Sequence, residues 1–154
     1  MTATPSPGAA PRACAAQAPT DTPVPQQRSR GWIAPVRHVP KPWGHEEVFA
    51  LVPGRFCGKA LHVAAGHALS LQYHERKEEV IAVQSGVVAL AVGTVASSLE
   101  EYEMHPGDSV HLRPGVLHRV TAVTDAVLLE ASTTELDDVV RLEDRYGRQG
   151  TSTP

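Results

Sequence analysis

The chain has 154 residues, a formal charge of −3 and 42% hydrophobic residues, which fits one domain able to bury its own core. So small a charge, evenly spread, argues against a nucleic acid or a membrane surface as partner. The two cysteines, Cys14 and Cys57, make neither a disulfide framework nor a thiolate metal cluster, and a reducing compartment is expected.

Residues 1–37 are rich in Ala, Pro, Thr and Gln, and six of the 13 prolines fall before residue 26. Such a stretch lacks the bulky apolar groups that offset the entropy of ordering, so a disordered tail is expected, with a docking tail as the alternative. Pro5, Pro7 and Pro11 interrupt any signal-peptide core, and no window approaches the roughly 18 apolar residues of a membrane span. A cytoplasmic protein is expected.

Over residues 38–148 the character changes. Short apolar runs follow one another: EEVFALV, KALHVAA, ALSLQYH, EEVIAVQ, VVALAV, DSVHL, HRVTAVT and AVLLEAS. Branched residues dominate, and Gly, Pro or charged clusters punctuate the runs, as in many short antiparallel strands. Eight such strands predict an all-β jelly-roll barrel, which shelters its edges and leaves a small interior pocket. Helical spacing appears only around Asp138 to Asp144, where Val139, Val140 and Leu142 share a face; a short C-terminal helical segment is expected there. Residues 149–154 read as a frayed tail.

One stretch, Gly66 to Gly86, concentrates metal-binding chemistry. Gln72 and His74 are two apart, so on a strand they point the same way. If the chain turns at Glu75–Glu78 and pairs back, Glu79 reaches the same point. His118, in the second glycine-punctuated stretch, is the fourth candidate ligand. Glu78 is the alternative to Glu79.

The first stretch reads glycine, five residues, a ligand pair spaced by one, four residues, Glu79, six residues, glycine. The second runs from Gly107 through Pro114-Gly115 to His118. Together they resemble the two motifs of the cupin superfamily. Gln72 within LSLQYH resembles the phosphomannose isomerase branch of that superfamily. KPWG at Lys41 to Gly44 and DDVVRLEDRYGR at Asp137 to Arg148 are similar to stretches of the cupin half of type II mannose-6-phosphate isomerases and mannose-1-phosphate guanylyltransferases. The likeness covers residues 39–148, without a nucleotide-binding glycine loop, as in a stand-alone relative. Two departures bear on the pocket. The family's histidine-rich stretch is here Glu75-Arg76-Lys77, and the link from Glu130 to Asp137 is shorter.

The resemblance implies a divalent ion, Zn, Mn, Fe or Ni, on Gln72, His74, Glu79 and His118. It also implies a sugar or sugar phosphate as substrate, and a homodimer. An aldose–ketose isomerase needs a proton-transfer group beside the ion. Lys77, two residues before Glu79, is that candidate, with its basicity expected to fall through the nearby cation and partial desolvation; a solvated lysine in a charged turn is the alternative. Lys59 and Arg141 are candidates for binding a phosphate or sugar hydroxyl, or for pairing with Glu130, Asp137 or Asp138. His62 is a weaker pocket candidate, and Trp43 is expected to pack. Two other functions stay open: a non-haem iron oxygenase or metal-dependent lyase on His74, Glu79 and His118, and a non-catalytic small-molecule-binding cupin.

Overall fold

The computed structural model describes residues 33–151. The expected N-terminal tail up to residue 32, Cys14 included, and residues 152–154 lie outside the described residues. Twelve strands follow in chain order: β1 (Arg37–Lys41), β2 (Gly44–Val52), β3 (Phe56–Val63), β4 (Leu71–His74), β5 (Glu79–Ser85), β6 (Val88–Gly93), β7 (Glu100–Met104), β8 (Ser109–Leu112), β9 (Leu117–Ala122), β10 (Ala126–Ser132), β11 (Val139–Glu143) and β12 (Gly150–Thr151). They form two six-stranded antiparallel sheets, in the orders β1-β2-β3-β10-β5-β8 and β12-β11-β4-β9-β6-β7. This is the jelly roll that the eight apolar runs predicted. No helix among the described residues is long and apolar enough to cross a membrane.

The four strands beyond the predicted eight have physical reasons for their faint signal. β7 (EEYEM) is an edge strand with only Met104 buried; charge on an edge blocks unwanted pairing and hides the apolar alternation. β1 is also an edge and is mostly exposed. The expected helix around Asp138 to Asp144 is β11. There Val139, Val140 and Arg141 pair with His74, Tyr73 and Gln72 of β4, and two adjacent β-branched residues suit that pairing better than a helix. Of the expected frayed tail, Gly150 and Thr151 are paired as β12 against Arg141 and Val140.

The core lies between the sheets. Alternation along β5 buries Glu79, Ile81 and Val83, along β9 it buries His118, Val120 and Ala122, and along β10 it buries Ala126, Leu128, Glu130 and Ser132. Polar groups thus continue the same inward stripes that Leu, Ile and Val occupy. Trp43 is 4% exposed and packs into this core, as expected.

Gly44 opens β2 at φ +144°, and a Cβ built there lies 1.9 Å from the carbonyl oxygen of His62. Gly115, at φ +82°, has nothing within 4 Å of its built Cβ. Gly44→Ala is expected to cost about 3 kcal/mol through conformation and overpacking, and Gly115→Ala about 1 kcal/mol through conformation alone. Urea unfolding of the two variants checks this; equal losses would show that the β2–β3 approach yields easily.

Candidate metal centre

Three ligand-type side chains converge between the sheets. His74 closes β4, Glu79 opens β5 and His118 is near the start of β9. Gln72 is in register with His118 on one side and with Arg141 on the other, so β11, β4 and β9 carry one row of functional groups across the second sheet. The first sheet supplies Glu79, in register with Ser132, and the next inward row holds Ile81, Glu130 and Lys59 in register with one another.

The Nε2 atoms of His74 and His118 lie 3.6 and 3.2 Å from the same oxygen, Glu79 Oε1. All three residues are buried, and their ligand atoms gather closely enough to hold one ion. The opposite ring nitrogens are already committed. His74 Nδ1 donates to the Asp138 carbonyl at 3.0 Å, and His118 Nδ1 donates to the Val116 carbonyl at 3.1 Å. In a neutral imidazole that leaves the lone pair on Nε2, aimed at the shared point. His74 Nε2 and Glu79 Oε1 are buried without a hydrogen-bond partner. Buried polar atoms are rarely left unpaired, so two such atoms facing one point, with nitrogen and oxygen donors and no thiolate, fit a divalent ion.

Gln72 reaches the centre with the other end of its amide. Its Oε1 accepts from Ser70 Oγ at 2.6 Å, and its Nε2 is 3.4 Å from His118 Nε2. Half a turn of the terminal amide exchanges the two ends, and the Ser70 hydroxyl can serve either one.

The second carboxylate oxygen of Glu79 accepts from Lys77 Nζ. That ammonium also donates to Glu130 Oε1 at 2.7 Å; Glu130 in turn accepts from Ser132 Oγ at 2.9 Å and pairs with Lys59 at 3.2 Å. Burial pulls the Lys77 pKa down, but Glu130 and Glu79 outweigh it and hold the ammonium up at about 12. Its basicity therefore rises where the sequence predicted a fall. Burial pushes the Glu79 carboxyl up, yet the rings of His118 and His74 and the charge of Lys77 hold it well below the usual range. Burial likewise raises Glu130, and Lys59 and Lys77 bring it below its ordinary value.

A cavity of about 380 Å³ opens over this centre, within the size of a small-molecule site. Its wall includes Gln72, His74, Lys77, Glu79, Glu130 and Lys59, with Arg37, Lys41, Arg141 and Arg148 as further cations. Lys41 pairs with Glu46, Arg148 with Asp144 and Lys59 with Glu130. Arg37 and Arg141 have no acidic partner among the described residues, and Arg141 Nε is buried with no hydrogen-bond acceptor. Burial and the neighbouring Arg148 lower the Arg141 pKa.

Of the other residues considered from sequence, Glu78 is outside the centre and bonds His111 at 2.6 Å. His67 bonds the Tyr146 hydroxyl and His105 pairs with Glu103. His62 turns away from the cavity and approaches Glu47. Three contributors were not singled out for the site. Glu130 links both lysines. Asp138 accepts from the Arg76 and Lys77 amides through Oδ2, both at 2.7 Å, and Ser70 orients Gln72. Only Glu130 left a sequence signal: in AVLLEAS it alternates with Ala126 and Leu128 on the face that a half-buried strand turns inward.

A sequence profile described as the cupin domain matches residues 60–132. No curated protein matches the sequence significantly. Among solved structures, CapF bound to 3-isopropenyl-tropolone is similar at 21% identity and a TM-score of 0.65, over 76% of this chain and 37% of that one. KdgF from Halomonas sp. is similar at 17% identity and a TM-score of 0.56, over 68% of this chain and 91% of that one. The oxalate decarboxylase of Lactobacillus farciminis is similar at 14% identity and a TM-score of 0.58, over 70% of this chain and 33% of that one. The chain thus spans 37% of the CapF chain it matches, and likenesses at these identities speak for the fold. Residues 60–132 are thus similar to the cupin domain, and the two-sheet fold is similar to that of these solved structures.

Proposed function

We propose that the protein is a metal-dependent enzyme acting on a small anionic sugar, as a sugar-phosphate or sugar isomerase or epimerase. The observation that carries this reading is the pair of unpartnered buried atoms, His74 Nε2 and Glu79 Oε1, beneath a cavity whose wall presents the unpaired Arg141 guanidinium. His74, Glu79 and His118 hold the ion, Zn, Mn, Fe or Ni, and Gln72 completes the set once its amide turns its oxygen inward. Such an ion supplies Lewis-acid polarisation of a substrate carbonyl or hydroxyl. Arg141, with Arg37 beside the same cavity, binds the phosphate or carboxylate of the substrate. Lys59 is tied to Glu130 and serves substrate binding only by shaping that wall. Lys77 is assigned to donate from its ammonium form to the substrate oxygen on which charge develops, since an ammonium has no lone pair to take a carbon-bound proton. Two of its three donors go to Glu79 and Glu130, and the third is left for a substrate oxygen.

One observation favours a second reading. With the Gln72 amide nitrogen toward His118, the ligand set is two histidines and one carboxylate, the set of non-haem iron oxygenases. Oxygen uptake by the Fe(II)-loaded protein, with no isomerisation of sugar phosphates, would decide for it.

We also propose a homodimer through the outer face of the first sheet. Val80, at 39% exposure, Leu129, at 38%, and Phe49, at 54%, lie there. Val80 faces Ala131 across the ladder, and Leu129 faces Ala82 and Ala60.

Four outcomes follow. Metal analysis after dialysis against Mn²⁺ is expected to show that Glu79→Gln and His118→Ala weaken the interior site about 100-fold or more, while His111→Ala leaves it unchanged. On a panel of sugar phosphates, Arg141→Ala is expected to raise KM about tenfold or more with little change in kcat. Lys77→Arg, which keeps a cation between Glu79 and Glu130, is expected to retain metal and to lower kcat about 100-fold or more; full activity in that variant would remove Lys77 from the chemistry. Sedimentation analysis is expected to show a dimer that Leu129→Glu converts to a monomer.

A further inference from the structure

The outer surface of the first sheet carries a second cluster of ligand-type side chains. His45 on β2 and His62 on β3 face each other directly across the ladder. Their rings stack with centroids 4.2 Å apart and planes within 10°. On the other side of His45 the ring of His38, from β1, stacks at 4.3 Å. Glu47, two residues along β2 from His45, lies on the same face.

Both imidazoles turn Nε2 toward this one carboxylate. His62 Nε2 is 3.4 Å from Glu47 Oε2, and His45 Nε2 is 3.9 Å from Glu47 Oε1. The ligand atoms of the three residues all fall within 4.8 Å of one another. Around a tetrahedral zinc ion with bonds of about 2.0–2.1 Å, neighbouring donor atoms sit about 3.4 Å apart. The His62–Glu47 separation already has that value; because the His45 and His62 planes are within 10° of parallel, the His62 ring must rotate about its Cβ–Cγ bond to aim its lone pair at the same ion as His45. The alternation of the strands puts this cluster back to back with the cavity. Glu46 and Leu61 line the interior, while His45, Glu47 and His62 face out. It is therefore a separate group of residues from His74, Glu79 and His118.

Partial desolvation, His62 and His38 lower the pKa of His45, against a smaller opposing pull from Glu47.

We propose that His45, His62 and Glu47 form a second divalent-cation site of zinc type on the outer face, with an open position for water or a donor from another molecule. His38 braces the His45 ring and is not itself a ligand. The site clips β2 to β3 from outside and is weaker than the interior one, because its ligands are half exposed.

The test is equilibrium dialysis of the full chain against graded ZnCl₂, with bound metal measured per chain. Wild type is expected to bind about two zinc ions. His45→Ala/His62→Ala is expected to bind about one, and Glu47→Gln, which preserves shape, is expected to weaken the second ion about tenfold or more. Glu79→Gln removes the interior ion and leaves the outer one, so failure of either site shows separately. His105→Ala/His111→Ala removes two other surface histidines and is expected to change nothing. The proposal is overturned if His45→Ala/His62→Ala and Glu47→Gln both match wild type in zinc number and affinity.

Discussion

The ammonium of Lys77, held between the carboxylates of Glu79 and Glu130, is the contact on which the site geometry rests. Two carboxylates this deeply buried repel, and burying either one alone costs several kcal/mol or about that order. The lysine lets both stay ionised. By taking one oxygen of Glu79 it also turns the other toward the rings of His74 and His118. The lysine itself is fixed by the residue just before β11: the Asp138 carboxylate accepts its backbone amide, while the Asp138 carbonyl holds the Nδ1 of His74. One residue thus positions a ligand and the ion-pairing group beside another.

The ligands sit where the core would otherwise continue. Glu79, His118 and Glu130 occupy inward positions on strands whose other inward residues are apolar. A dry wall on both sides strengthens each electrostatic interaction and makes each unsatisfied atom costly. It explains why the two rings spend their outer nitrogens on backbone carbonyls. Those carbonyls come from Asp138 and Val116, next to β11 and β9, so the tautomers are set by the backbone rather than by exchangeable side chains.

Much of this was legible in the residue order, and the exceptions have causes. Period-two alternation within LSLQYH put Gln72 and His74 on one face, and the structure brings both to the centre. The spacing favoured Glu79 over Glu78, and the structure places Glu79 beside His74 and His118 while Glu78 faces solvent and bonds His111. Which end of the Gln72 amide points inward is decided by Ser70 and His118, and no spacing records that. The basicity of Lys77 was misjudged because its second partner, Glu130, is 53 residues away in sequence; desolvation alone gives the opposite sign. The segment at Asp138–Asp144 has helical spacing, but the pairing edge offered by β4 overrode it. Local pattern predicts faces well, and it predicts poorly what a distant strand will bring to them.

β2 and β3 show how much depends on a single residue of register. Their inward groups, Glu46 and Leu61, border the cavity, while His45, Glu47 and His62 form the outer cluster. A slip of one residue would exchange the two sets and destroy both chemistries. The pairing of Gly44 with Val63 fixes the register at the start of the ladder. Only a residue without Cβ fits there, because the His62 carbonyl approaches within 1.9 Å of where that atom would be. A slipped ladder would put His45 in that place, and its side chain would collide with the same carbonyl. The glycine of KPWG therefore acts on both faces without touching either site: it makes the competing register sterically inaccessible.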